Sequence, residues 1–284
     1  MVSINSANQN QNRLLAMLPR EEYELLRAHL EPIDLGYRHS LYQASKPIGH
    51  VHFLETGVGS LVSTMKNGDA SEVGTIGNEG FVGLPVIFGD VQAPTSVYMQ
   101  VPGAGFKMAA DLFLEAFEQS ASLRAVLLRY AHAFFNQVAQ SAACNHFHSL
   151  EQRCCRWLLM TYDRMHANEF MLTHEFLAMM LGVRRAGVTV AAGGLQRDGL
   201  ITYKRGHITI ASVEGLRERS CECYAVSKLA FDRLLGNAEE LTPSRSGPQI
   251  SGISEPSAAG GRFPQRRAPA KKPSVAKRLR ARVP

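Results

Sequence analysis

Several things are missing from this sequence, and each absence excludes a class of protein. No run approaches the roughly 18 consecutive apolar residues of a membrane-spanning helix. The polar opening MVSINSANQNQNR lacks the apolar centre of a secretion signal, so a cytoplasmic protein with no membrane partner is expected. No cysteine precedes Cys144. The five present, Cys144, Cys154, Cys155, Cys221 and Cys223, are odd in number and do not space as a disulfide framework, so reduced thiols are expected. No acid occurs from Arg262 to Pro284, a stretch holding nine Lys or Arg residues. The net charge of +6 therefore belongs to the tail, because the first 261 residues carry 22 basic against 25 acidic groups. A high pI is weak evidence that the folded part binds nucleic acid. The tail itself suits either a solubilising extension or sequence-independent attachment to DNA. Nucleophile elbow, HExxH and phosphate-cradling loop are all missing. Gly77 to Gly83 is glycine-rich but has no following Lys. An enzyme is not expected.

What is present divides into two textures. At 284 residues the chain has room for about two domains. Residues 1–12 are expected to be disordered. Arg13 to Leu18 and Glu21 to Leu30 read as short helices broken at Pro19. From Ile33 to about Met108, short apolar runs alternate with glycines: Val51 to Leu54, Leu61 to Met65, Val73 to Ile76, Val86 to Phe88 and Val97 to Val101. This texture predicts a β-barrel or double-sheet roll, with Asn67-Gly68 as a hairpin turn. Asp111 to Glu118 reads as a short helix and Ser122 to about Cys144 as a long one. The long helix carries Leu123, Val126, Leu127, Tyr130, Phe134, Gln137, Val138 and Ser141 near heptad spacing. Such a seam suggests a dimer; the other reading is that it packs on the chain's own β-domain. Ser149 and Gln152 form a capping box that opens a helix to about Met165. Phe231, Leu234 and Leu235 suggest one last helix. Beyond Thr242, proline, serine, glycine and basic residues predict disorder.

The stretch from Leu172 to Ile210 carries the functional signal. Thr173 is a good N-cap, and Phe176, Leu177, Met180 and Leu181 share one helical face. Gly182 follows where a helix needs positive φ, and Val183 plugs the turn. A second helix runs from about Arg184 to Gln196, with Val188, Ala192 and Leu195 on one side. Leu200 to Tyr203 and His207 to Ile210 are short β-runs joined by Lys204-Arg205-Gly206. This pattern reads as a helix-turn-helix followed by a cationic wing.

In this order, a β-roll, a long helix and a winged helix-turn-helix, the chain resembles the Crp/Fnr family of bacterial transcription regulators over about residues 13–225. The closest stretch is LTHEFLAMMLGVRRAGVTVAAGGLQRDGLI. The resemblance implies an α+β fold. A cyclic-nucleotide-binding-like β-roll would span residues 13–120 and a dimerisation helix 121–146. The Crp-type winged helix-turn-helix would span 147–225, with a basic, mostly disordered extension over 226–284. It also implies a homodimer on double-stranded DNA and contact with RNA polymerase. Thr173 holds the family's phosphate-contacting position and Arg185 its guanine-reading position. The family's cytosine-reading Glu is Ala186 here, and a later Arg is Val190, so an altered sequence preference is expected. Arg185 can pair with guanine in a bidentate way. Thr173, Arg184, Lys204 and Arg205 suit phosphates, with His174 and Thr189 beside them.

The effector cassette departs further. Relatives that bind cyclic AMP carry Gly-Glu-Leu-Gly-Leu and then Arg-Ser. The matching positions here are Gly80-Phe81-Val82-Gly83-Leu84 and Thr95-Ser96. No basic residue lies between Lys66 and Lys107, and a buried phosphate needs a paired cation. A cyclic nucleotide is therefore not the expected effector, which stays unknown with its site at a degenerate cassette of Phe81, Gly83, Thr95 and Ser96. No cofactor is expected. No metal is expected either. Cys144, His146, His148, Cys154 and Cys155 match no standard ligand spacing, and Cys221-x-Cys223 taken alone is weaker. A different reading makes the chain a small-molecule or metal sensor that acts through protein partners, with a vestigial helix-turn-helix.

Overall fold

The computed structural model describes residues 11–165, 167–204 and 206–236. The expectations for residues 1–10 and for the basic tail beyond Gly236 lie outside the described residues. Helices α1 (Arg13–Ala16) and α2 (Arg20–Arg27) break at Pro19. Asn12, placed above in a disordered segment, is fully buried. Its Nδ2 donates to the carbonyls of Leu54 and Gly80, each at 2.8 Å, and its Oδ1 accepts from the amides of Leu14 and Leu15. One side chain thus caps α1 and ties it to the roll, which a polar composition does not reveal.

The roll has eight strands: β1 (Glu31–Leu35), β2 (Ser40–Tyr42), β3 (His50–Leu54), β4 (Val58–Thr64), β5 (Ala70–Ile76), β6 (Phe81–Val82), β7 (Ser96–Val101) and β8 (Gly103–Ala109). They form two antiparallel sheets, ordered β1-β8-β3-β6 and β2-β7-β4-β5. Asn67-Gly68 turns β4 into β5, with Gly68 at φ 90°. The run at Val86 is not a strand. It belongs to α3 (Leu84–Ile87), which Pro85 starts, because proline presets helical φ and has no amide for a ladder.

Helix α4 (Ala110–Gln119) leads into the 27-residue α5 (Ala121–Phe147). The seam expected to face a second chain faces inward instead. Leu123, Val126, Leu127, Tyr130 and Phe134 join the roll's core with Phe53, Phe81 and Phe113. The Tyr130 ring sits 5.6 Å from Phe81. Gln137 is buried as well, and its Nε2 donates to the Thr75 carbonyl at 3.0 Å. The opposite face of α5 exposes Ala121, Ala125, Leu128, His132, Phe135, Ala139, Ala142 and His146. These residues alternate at spacings of four and three, and Phe135 is 68% exposed.

The capping box at Ser149 and Gln152 forms in both directions and opens α6 (Leu150–Met165). Strand β9 (Glu169–Met171), α7 (His174–Leu181), α8 (Arg185–Arg197), β10 (Ile201–Lys204), β11 (His207–Ile210) and α9 (Val213–Arg219) follow. Strand β9 makes the wing a three-stranded sheet, β10-β11-β9. The chain stays ordered past 225, where an extension was expected to begin. Helix α10 (Cys223–Leu235) folds back along α5, burying Tyr224, Ser227, Phe231 and Leu235. Phe231 lies 6.4 Å from Tyr130, and Cys223 accepts a hydrogen bond from Gln140, so the two helices run antiparallel.

A second core fills the C-terminal module with Trp157, Leu158, Phe176, Leu177, Val188 and Leu195. Val58, Val62 and Val101 of the roll join it, so the module is docked on β4 and β7. Two polar bridges cross the same junction. Arg164 pairs with Glu79 at 2.7 Å and also donates to Gln137 at 3.0 Å. Glu72 accepts from the Trp157 indole at 2.9 Å and bonds Ser60 at 2.6 Å.

Candidate nucleic-acid interface

The interface is built from a turn. Thr173 caps α7 by accepting the Phe176 amide at 3.1 Å. The helix ends at Gly182, whose φ of 62° is left-handed and costs a residue without Cβ little. The Gly182 and Val183 amides then close the last turn on Met179 and Ala178. The chain leaves at an angle, and α8 crosses α7 at 108°, within the range of a helix-turn-helix. Val188, Ala192 and Leu195 face the core. The outer face of α8 exposes Arg184, Arg185, Ala186, Thr189 and Val190. Val190 is 74% exposed, so an apolar side chain faces outward on this helix.

His174 is placed differently from the arginines. Its ring packs 4.4 Å from that of Tyr203. Its Nδ1 meets the Thr189 hydroxyl at 3.1 Å, and that hydroxyl donates to the Arg185 carbonyl. With its proton so committed, Thr189 accepts from His174 Nδ1–H. Burial, helped by the nearby Arg185 charge, lowers the His174 pKa from its ordinary value, so the ring is neutral at pH 7. The structure makes His174 a strut between α7, α8 and the wing. Tyr203 completes the strut with its hydroxyl on the Leu172 carbonyl, while its amide donates to Gln196 at 2.9 Å. Nothing in the sequence pattern singled out Tyr203 or Gln196. Lys204 is exposed at the end of β10, and Arg205 lies outside the described residues.

Residues 152–219 match the family described as the Crp-like helix-turn-helix domain. The chain carries a Crp-like helix-turn-helix domain on a Crp/Fnr-type fold. Among solved structures, a transcriptional regulator assigned to the Crp/Fnr family from Eubacterium rectale superposes with a TM-score of 0.59 at 18% identity, covering 74% of this chain and 99% of its own. FixK2 from Bradyrhizobium japonicum gives 0.55 at 11%, covering 68% and 98%. The c-di-GMP-responsive global regulator CLP of Xanthomonas campestris gives 0.53 at 17%, covering 68% and 100%. No curated protein matches the sequence. At these identities the likeness establishes the fold, while the domain match establishes the helix-turn-helix. Among the described residues no single helix is long and apolar enough to cross a membrane. The α7–α8 pair meets that test only jointly, across its 108° bend.

Of the four residues expected to form the cassette, Phe81, Gly83 and Thr95 line an apolar cavity of about 270 Å³, and Ser96 does not. Phe81 is fully buried, stacked on Phe53 and tilted against Phe113. Gly83 adopts φ 137° beside Val51, where a Cβ would collide at 2.5 Å. Thr95 bonds Tyr42, and the Ser96 hydroxyl accepts the Ala44 amide at 2.9 Å. Leu61, Ile76 and Phe134 complete the walls with Asp90, and among the described residues no Lys or Arg lines the cavity.

Proposed function

We propose that the chain is a cytoplasmic, sequence-specific DNA-binding transcription regulator that works as a homodimer on palindromic sites and contacts RNA polymerase. One observation carries the reading. The helix held at 108° to α7 presents two adjacent arginines on a face that the other described residues leave open. Arg185 reads guanine O6 and N7 through its planar fork. Ala186 and Val190 suit thymine methyl groups, which alters the preference relative to a Glu- and Arg-bearing helix. Thr173, Arg184 and Lys204 take phosphates, with Arg205 proposed beside them at the wing. Thr189 and His174 position the face. The second copy covers the exposed stripe of α5, whose 3.5-residue period is that of a coiled-coil seam. The lining of the roll cavity, which holds Asp90 and no cation among the described residues, argues for an uncharged, largely apolar effector rather than a cyclic nucleotide.

A preferred site is first selected from random duplexes. Binding isotherms on that site and on a scrambled duplex, at several salt concentrations, then separate readout from anchorage. Arg185→Ala should cost about 1–3 kcal/mol on the selected site and relax one base pair per half-site. Lys204→Ala should weaken both duplexes alike and flatten the salt dependence by roughly one counterion. Equal loss on both duplexes for Arg185→Ala would reject the assigned role. Unchanged binding by both variants would favour action through protein partners.

A further inference from the structure

The sequence holds two cysteine-containing stretches far apart, and the fold brings parts of both together. Cys144 and His148 lie one helical turn apart at the C-terminal end of α5. Cys221 and Cys223 flank the turn between α9 and α10. Their ligand atoms, three Sγ and an imidazole nitrogen, all lie within 4.8 Å of one another. Cys144 Sγ is 3.5 Å from Cys221 Sγ, and Cys223 Sγ is 3.4 Å from His148 Nδ1. A tetrahedral ion with Zn–S bonds of about 2.3 Å sets its sulfurs about 3.8 Å apart, so the cluster is already near ligating spacing. His146, Cys154 and Cys155 are not part of it.

We propose that Cys144, His148, Cys221 and Cys223 form a structural zinc site that clamps the DNA-binding module to the end of the long helix. The donor set of three thiolates and one imidazole is that of closed structural zinc centres and suits no hard cation. The surroundings complete it. His148 turns its other nitrogen, Nε2, to Glu222 at 3.2 Å, the carboxylate–histidine arrangement that fixes a metal-binding ring. Gln140 Nε2 donates to Cys223 Sγ at 3.0 Å, as amides do to metal-bound thiolates. Three thiolates and Zn²⁺ leave one negative charge, and Arg153 and Arg156 lie near enough to Cys144 to interact with it electrostatically. Binding releases the three thiol protons to solvent.

The position gives the ion its role. The chain enters the module through His148-Ser149-Leu150 and leaves it through Arg219-Ser220-Cys221. Both crossings run through these four ligands, so the ion ties entry to exit and fixes the seat of α10 on α5. Removal of zinc frees both strands of the hinge.

The test uses the full chain, untagged, purified without chelator. Elemental analysis should find about one zinc per chain, lost in the Cys221→Ser/Cys223→Ser double variant and retained in Cys154→Ser, which alters a buried thiol outside the cluster. Should the double variant fail to fold, anaerobic exchange of the wild-type protein with Co²⁺ decides. A thiolate-to-cobalt charge-transfer band with tetrahedral d–d absorption supports the site, and its absence overturns it. Zinc retained by the folded double variant also overturns it. So does a Cys144–Cys221 disulfide in protein purified with zinc present.

Discussion

Glu72 shows how a single side chain can carry the junction between the two halves. It is half-buried on β5, and burial of its carboxyl raises the pKa to about 7, offset in part by the bonds to Ser60 and Trp157. The hydrogen count agrees with a protonated acid. Ser60 has one proton and faces both Glu72 and the Gln100 oxygen. A protonated Glu72 donates to Ser60, which then donates to Gln100. Between the ordinary carboxyl pKa and about 7, the native state binds a proton that the unfolded state has lost. The stabilising effect is therefore full at acid pH and disappears as pH rises through 7. Glu72→Gln keeps the same donors and acceptors without the ionisation. The difference in unfolding free energy between variant and wild type should grow by about 2 kcal/mol from pH 5 to pH 8, allowing for partial exposure. A pH-independent difference in denaturant melts would show that Glu72 does not titrate in this range. His52, pushed down to about 4 by burial, changes with pH in both proteins and cancels in the comparison.

At the scale of elements, α5 has two apolar faces, and the larger one belongs to its own chain. The inward seam packs on the roll because Phe81 and Phe113 give its aromatic residues a partner in the same molecule. The outward stripe of Ala125, Leu128, His132, Phe135 and Ala139 has small residues between large ones, which lets two helices approach closely. Leu128→Glu sets carboxylates near each other across a two-fold axis. It should sediment as a monomer with a native-like circular dichroism spectrum and weakened affinity for a palindrome. Leu127→Glu buries a charge in the core at 0% exposure and should instead unfold the roll, at a cost above about 4 kcal/mol. A Leu128→Glu protein that stays dimeric would place the interface elsewhere.

At the scale of the molecule, Val58, Val62 and Val101 of the roll join the core of the helix-turn-helix module, so the roll packs directly on α7. Met180 of α7 meets Ser60, and Met179 meets Tyr98. Among the described residues the cavity offers an anion no cation, and Asp90 opposes one. Cyclic AMP or cyclic GMP at millimolar concentration should produce no heat in calorimetry and no rise in melting temperature. A ligand at about 100 times its Kd would stabilise the native state by about 2.7 kcal/mol, well within detection. A thermal shift of that size with either nucleotide would overturn the reading of the cassette.

The sequence by itself determined the helix-turn-helix, because its signals are local. A Thr cap, a Gly in the left-handed region, a 3.6-residue apolar period and two adjacent arginines each act within one or two turns of chain. The capping box at Ser149 and the Asn67-Gly68 hairpin were legible for the same reason. Only the tertiary structure decided which face of α5 turns inward. Periodicity identifies an apolar stripe but not its partner, and the partner here is the aromatic wall of the roll. The burial of Asn12, the return of α10 along α5 and the Glu79–Arg164 pair depend likewise on contacts between distant segments. The convergence of Cys144 and His148 with Cys221 and Cys223 has the same origin. Each pair is unremarkable in its own stretch, and the antiparallel packing of α10 on α5 gives them one centre.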